Sequence, residues 1–196
     1  MLLITGLLLG LLLGMRHALE PDHLAAVSVL VTRAGRTGGG AIVGAVWGLG
    51  HSLALFMVGC VLAAIGTHLP PRLADGFELL VAAMLMTLGA RAIYRATWTA
   101  SAPLVHTHPH PSRWGLLRQP LVVGLIHGLA GSGALTTLAV AALPTVTARL
   151  LYIGLFGLGS VIGMAALTGL AGWPLARLDA KRGIPRWMLG ATGGFS

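Results

Sequence analysis

Long apolar segments dominate this chain and restrict it to a fold embedded in a membrane. A sixth segment begins near Pro185. The five complete segments are about Leu2–Val31, Gly39–Gly66, Leu73–Ala96, Pro120–Leu143 and Ala148–Gly172. A helix needs about 20 apolar residues to cross the roughly 30 Å hydrocarbon core of a bilayer. Only 9% of the residues are charged, against about 25% in a soluble domain. The sequence therefore predicts an all-α, polytopic membrane protein.

The basic residues indicate the orientation of the chain and not nucleic-acid binding. They lie at the ends of apolar segments, whereas nucleic-acid binding needs a basic face on a soluble fold. Arg72 and Arg149 lie on one side of the predicted bundle. The basic residues of the other side are Arg33, Arg36, Arg91, Arg95, Arg113, Arg118, Arg177, Lys181, Arg182 and Arg186. The positive-inside rule places this larger group in the cytoplasm and the N-terminus outside.

Five polar side chains interrupt the first apolar segment, and they are Arg16, His17, Glu20, Asp22 and His23. A charged side chain at membrane depth costs about 2.5–3.5 kcal/mol on insertion scales, so such residues are rarely there without a function. Pro21 cannot donate a helical hydrogen bond and pushes against the carbonyl of His17. The helix is therefore expected to be kinked or broken between these two residues, leaving the His17 carbonyl free as an oxygen ligand.

A break at this point could gather imidazoles and carboxylates around one cation. That mixture suits Ni²⁺, Co²⁺ or Zn²⁺, whereas Mg²⁺ and Ca²⁺ prefer oxygen ligands alone. The structural alternative is an internal ion pair, for example between Arg16 and Glu20. Five polar groups exceed what one structural pair requires, so the metal site is favoured.

Two further histidines lie in the middle of apolar segments. His51 lies in the second segment and His127 in the fourth. Either could be a metal ligand or a buried histidine bonded to a neighbouring backbone group. Ser52 and Ser132 could orient a ligand from a second layer, although helix packing is the favoured role of each.

The two halves of the chain resemble each other. The stretch 14–19 matches 124–129, and 48–52 partly matches 157–160. Three-helix repeats insert with opposite topology, and a binding site at their interface is a recurrent transporter architecture. We expect one membrane domain over 1–196, with a first repeat at 1–97, a cytoplasmic loop at 98–117 and a second repeat at 118–196. The sixth helix is expected to run beyond Ser196, which predicts that the chain is C-terminally incomplete.

Other polar residues lie nearer the ends of the segments. The predicted loop holds a tract of His106, His108 and His110, which fits either loose metal binding or a solvated loop with chance histidines. Asp75 and Glu78 open the third segment, where acidic groups are favoured electrostatically in a first helical turn. That explanation is preferred to an ion funnel.

The motifs resemble those of nickel/cobalt transporters. The stretch 16–23 resembles the RHAxDADH signature of that family, and 49–52 resembles its LGHS motif. The stretch 127–134 is similar to the HGLAGS segment of the shorter UreH-type and HupE-type relatives. Glu20 and Pro21 replace an Asp-Ala pair, and Gly131 and Ser132 replace an acidic motif of the longer transporters. Both departures point to the shorter branch.

The resemblance implies nickel or cobalt uptake across a bacterial inner membrane. His17, Asp22 and His23 correspond to the metal-recognition residues of the first motif, and His51 to the second. With His127 they form the expected metal site, tuned by Arg16 and Glu20. Expected partners are the bilayer, the metal ion and a metallochaperone or urease or hydrogenase maturation proteins, with no cofactor beyond the transported ion.

Other functions fit the same sequence features. Efflux of nickel or cobalt fits the same residues, and so does a proton or anion pathway through the same acids and histidines. Enzymatic activity is not expected, since the spacing differs from the H-E-x-x-H pattern of metalloproteases. The single cysteine, Cys60, excludes an internal disulfide and two-cysteine redox chemistry.

Overall fold

The fold is all-helical over the residues described by the computed structural model, which are 2–34, 39–65, 67–98, 113–143 and 145–181. Six helices occur in these ranges. They are α1 (Leu2–His17), α2 (Pro21–Ala34), α3 (Gly40–Ile65), α4 (Pro71–Trp98), α5 (Arg113–Ala142) and α6 (Val146–Lys181). The segment that begins near Pro185 and the tract of His106, His108 and His110 lie outside the described residues.

Within the described ranges, three helices are long and apolar enough to cross a bilayer. They are Gly40–Leu62 in α3, Pro71–Arg95 in α4 and Val146–Gly172 in α6. Helices α1 and α2 have 16 and 14 residues, and each is shorter than the roughly 20 residues that a span requires. The chain is thus a helical membrane protein.

The junction between α1 and α2 makes a compact turn. The Leu19 N–H donates to the Arg16 carbonyl at 2.9 Å, and the Glu20 N–H donates to the His17 carbonyl at 3.0 Å. Pro21 is the first residue of α2, a position where a missing N–H costs no helical hydrogen bond. The His17 carbonyl, expected from the sequence to be free, therefore already accepts a hydrogen bond.

Helix α5 begins earlier than the sequence predicts. It starts at Arg113, so residues 113–117 of the predicted loop are helical and Pro120 lies inside the helix. Proline is tolerated in membrane helices because neighbouring groups and small local adjustments satisfy the freed backbone groups. Helix α6 also extends past Gly172 to Lys181.

Glycines bring the helices into close contact in two matching pairs. A methyl group at Gly14 of α1 would overlap the Phe156 carbonyl of α6, and one at Gly124 of α5 would overlap the Trp47 carbonyl of α3. Small residues at such contacts let helix backbones approach closely where lipid supplies no hydrophobic driving force. The pairs α1–α6 and α3–α5 are therefore in backbone contact.

A second set of contacts repeats this correspondence. Gly159 of α6 lies against the Leu11 carbonyl of α1, just as Gly50 of α3 lies against the Leu121 carbonyl of α5. In each pair the contacts advance in the same direction along both helices, so α1 runs parallel to α6 and α3 to α5. The Ser52 hydroxyl donates to the Gly157 carbonyl at 2.8 Å and joins α3 to α6 at the centre.

We predict that Gly124→Ala destabilises the protein. The added methyl group would meet the Trp47 carbonyl and the His51 N–H region, and overpacking of this kind costs about 1–3 kcal/mol. The control is Gly154→Ala in α6, where no atom lies within 4 Å of the added methyl group and helix propensity favours alanine by about 1 kcal/mol. Thermal unfolding of the detergent-solubilised variants should show a lower Tm for Gly124→Ala alone. Equal Tm values would show that this contact is not tight.

Candidate metal centre

The fold brings the five side chains predicted as metal ligands to one place inside the bundle. His17 is the last residue of α1, and Asp22 and His23 lie in the first turn of α2. His51 comes from α3 and His127 from α5. His23, His51 and His127 are 1%, 0% and 1% exposed, whereas the His17 side chain is 11% exposed. The cluster thus combines three buried imidazoles with two more accessible groups.

The Asp22 carboxylate bridges two of these histidines. Its Oδ1 lies 2.9 Å from Nδ1 of His23, and its Oδ2 lies 2.8 Å from Nε2 of His127. Oδ1 also accepts the backbone N–H of His23 at 2.9 Å. One side chain therefore fixes two imidazoles on different helices.

His17 is held by a second carboxylate. Its Nδ1 lies 2.9 Å from Oε2 of Glu20, and its Nε2 lies 3.2 Å from Nε2 of His51. The Glu20 carboxylate is thus bonded to His17 and not to Arg16, which the sequence offers as the alternative ion pair.

These contacts determine which ring nitrogens carry a lone pair. A carboxylate only accepts, so Nδ1 of His23 and Nε2 of His127 donate N–H groups to Asp22, and in a neutral ring the other nitrogen keeps its lone pair. Among the described residues, His23 Nε2, His127 Nδ1 and His51 Nδ1 are buried without a hydrogen-bond partner. An unsatisfied buried polar atom costs about 1–3 kcal/mol. In His23 and His127 the unpartnered nitrogen lies opposite a nitrogen bonded to a carboxylate, which is the usual form of a histidine metal ligand.

The ligand atoms fall into two groups of three, within each of which all atoms lie within 4.8 Å of one another. One group is His17, His23 and His51, and the other is Asp22, His23 and His127. The rings are closely packed, with centroids 4.4 Å apart for His17 and His23 and 4.3 Å apart for His23 and His127. His23 belongs to both groups and lies at the centre of the cluster.

A cavity of about 500 Å³ borders the cluster. Four of the predicted ligands line it, namely His17, Asp22, His23 and His127. Arg16 and Glu20 line it as well, together with Glu78 of α4. Three of the five acidic residues of the chain thus surround one cavity, in a protein whose net charge is +8.

The two predicted second-layer serines have different outcomes. Ser52 donates its hydroxyl to the Gly157 carbonyl and so links two helices, the packing role favoured from the sequence. The side chain of Ser132 lies outside the described part of the structure.

Sequence reasoning missed several residues around the cluster. The ring centroid of Trp47 lies 5.6 Å from that of His23, and Phe156 lies 5.2 Å from His17. Both are apolar positions in apolar helices, so nothing in the sequence distinguishes them. Glu78 was assigned to a first helical turn, but α4 begins at Pro71 and has no acidic residue in that turn. Its carboxylate instead belongs to the cavity wall.

Comparison with known proteins identifies relatives along the whole chain. The urease accessory protein UreH of Bacillus sp. (strain TB-90) is 34% identical over 200 residues, which cover 99% of this chain and 88% of that protein. Two chloroplast proteins of Arabidopsis thaliana, FOR GROWTH AND FERTILITY 1 and 2, are 27% and 28% identical over 93% of this chain. The chain spans about half the length of these two, 53% and 50%.

No protein-family profile and no solved structure matches the chain. The similarity to UreH nevertheless extends over almost the full length of both proteins. It agrees with the motifs at 16–23, 49–52 and 127–134. The chain belongs to the UreH-type branch of the nickel/cobalt transporter superfamily.

Proposed function

We propose that this protein carries Ni²⁺ or Co²⁺ across a bacterial inner membrane, in the direction of uptake. The observation that supports this most strongly is the cluster of four histidines and Asp22 next to a cavity lined by acidic residues. Buried ionisable groups inside a membrane bundle mark ion pathways more often than structural contacts.

The chemistry of the cluster favours a divalent transition metal. Imidazole nitrogen with one or two carboxylates suits Ni²⁺ and Co²⁺, whereas a site for Mg²⁺ or Ca²⁺ would consist of oxygens. The acidic cavity also disfavours an anion pathway, because Glu20, Asp22 and Glu78 would repel an anion as it approached.

The position of the cavity supports uptake. Glu78 lies near the start of α4, and Tyr152, another cavity residue, lies near the start of α6. The cavity therefore lies on the side of the cluster toward the connection 67–70 and toward the start of α6. Only Arg72 and Arg149 lie at this end, so the positive-inside rule makes it the outer end. Efflux is the alternative, and the direction in which cells move ⁶³Ni distinguishes the two.

The packing supports two inverted repeats as the framework of transport. The contacts of α1 with α6 correspond to those of α3 with α5, at positions that match in the two halves. We propose that α1 and α2 cross the membrane together as one broken helix, since discontinuous helices near the midplane form the ion sites of many such transporters.

The relatives suggest where the metal goes. UreH is named a urease accessory protein, and urease maturation requires nickel. We therefore propose that a metallochaperone or urease or hydrogenase maturation proteins receive the ion on the cytoplasmic side.

Replacing the bridging carboxylate should abolish transport. In Asp22→Asn the side chain loses its negative charge, and only its oxygen can accept a hydrogen bond, so it cannot bridge His23 and His127 as the carboxylate does. Loss of a metal-site carboxylate reduces metal affinity about 10- to 100-fold. Cells expressing the variant should accumulate less than about a tenth of the radioactive ⁶³Ni that wild-type cells take up, at equal amounts of protein in the membrane.

The matched control is His68→Gln in the exposed connection between α3 and α4, which should transport normally. Wild-type accumulation by Asp22→Asn would contradict the proposal. Wild-type cells that hold less ⁶³Ni than cells without the protein would identify efflux.

Glu78 is predicted to raise the local concentration of the cation and not to bind it in the cluster. Glu78→Gln should increase the KM for uptake about threefold to tenfold at low ionic strength and leave the maximal rate unchanged. Asp75→Asn is the matched control, since Asp75 lies one helical turn earlier in α4 and does not line the cavity. Initial rates over a range of Ni²⁺ concentrations separate the two parameters, and an equal effect of both substitutions would rule out a specific role for Glu78.

A further inference from the structure

The cluster offers five ligand groups to a divalent ion, and they fall into two overlapping groups of three. The two groups of three share His23 but are otherwise distinct. One has three imidazoles, His17, His23 and His51, and no carboxylate. The other has two imidazoles and the carboxylate of Asp22.

The two groups also differ in their relation to the cavity. All three members of the group with Asp22 line the cavity wall. His51 is the one residue of the two groups that does not line it, and its side chain is fully buried in α3. The rings of His51 and His127 are 6.0 Å apart between centroids, the widest separation recorded among the histidines of the cluster. An ion arriving through the cavity therefore meets Asp22, His127 and His17 before it can reach His51.

On the basis of the proposed metal transport, we propose that the cluster forms two alternative positions for one ion, with His23 as the ligand they share. The outer position consists of Asp22, His23 and His127, whose hydrogen bonds to one another open when the ion binds there. The inner position consists of His17, His23 and His51. Two divalent ions so close together would repel each other strongly, so the positions are occupied in turn.

The ligand chemistry gives each position a different task. The carboxylate of the outer position lets it compete with water for an incoming cation. The inner position has no carboxylate among its ligands and holds the ion through nitrogen alone, which weakens the electrostatic attraction that retains the ion. His23 stays bound while His127 and Asp22 are exchanged for His17 and His51, so the ion is never stripped of all its ligands.

The test is a double-substitution cycle on the purified full-length protein, with Co²⁺ as the probe. His51→Gln removes a ligand from the inner position only, and His127→Gln from the outer position only. Each single variant should still bind Co²⁺, with an affinity less than about tenfold below that of the wild type, because the other position remains. The double variant should lose more than about 100-fold, which exceeds the product of the single effects.

Transport separates the roles further. His51→Gln should bind Co²⁺ and fail to transport it in proteoliposomes. His23→Gln should lose binding at both positions, and His68→Gln should match the wild type in every measurement. Glutamine keeps a donor for Asp22 at position 127, and the Tm of each metal-free variant reports whether it is folded.

Two outcomes overturn the inference. If His51→Gln and His127→Gln each weaken Co²⁺ binding as far as His23→Gln does, the cluster is a single composite site. If the wild type binds two Co²⁺ ions per chain at once, the positions are not used in turn. A wild-type protein that binds and transports neither Co²⁺ nor Ni²⁺ contradicts the proposed function itself, and is thereby distinguished from both.

Discussion

The Asp22 carboxylate holds the functional part of the molecule together. It bonds to His23 in its own helix and to His127 in α5, and so connects the two halves of the chain at the point where α1 gives way to α2. Because each imidazole donates to this carboxylate, the opposite nitrogen of each ring keeps its lone pair. Without Asp22, neither ring would have a carboxylate to fix its orientation, and the half-buried junction would lose its hydrogen bond to His127 of α5.

Symmetric packing in this protein supports an asymmetric site. Gly14 and Gly124 occupy corresponding positions and make corresponding contacts, yet the polar residues differ between the halves. Ser160 occupies in α6 the place that His51 has in α3, and its hydroxyl bonds to the Phe156 carbonyl of its own helix at 3.0 Å. Helix α5 continues through the stretch that matches the junction of α1 and α2. The first half therefore contributes four of the five clustered side chains, and the second half contributes only His127.

The sequence predicts the helical membrane fold because each apolar segment must satisfy its own backbone hydrogen bonds in lipid. It also identifies the polar side chains of the cluster, since Asp22, His51 and His127 are conspicuous in apolar surroundings. It does not predict which helices touch, because a helix that is apolar on all sides has no distinct face that indicates where it packs. For the same reason Trp47 could not be distinguished from the other apolar residues of α3 as a neighbour of the cluster. The role of Glu78 could not be predicted because it depends on the residue at which α4 begins.

The turn at residues 18–20 gives the site an electrical polarity that a continuous helix would lack. Two helix ends of opposite partial charge meet there, since α1 ends at His17 and α2 begins at Pro21. The end of α1 carries partial negative charge, which attracts a cation to His17, and the start of α2 carries partial positive charge, which favours the anionic form of Asp22. A cation near the cluster thus experiences a field set by the backbone, and this field would persist even if the side chains around it were exchanged.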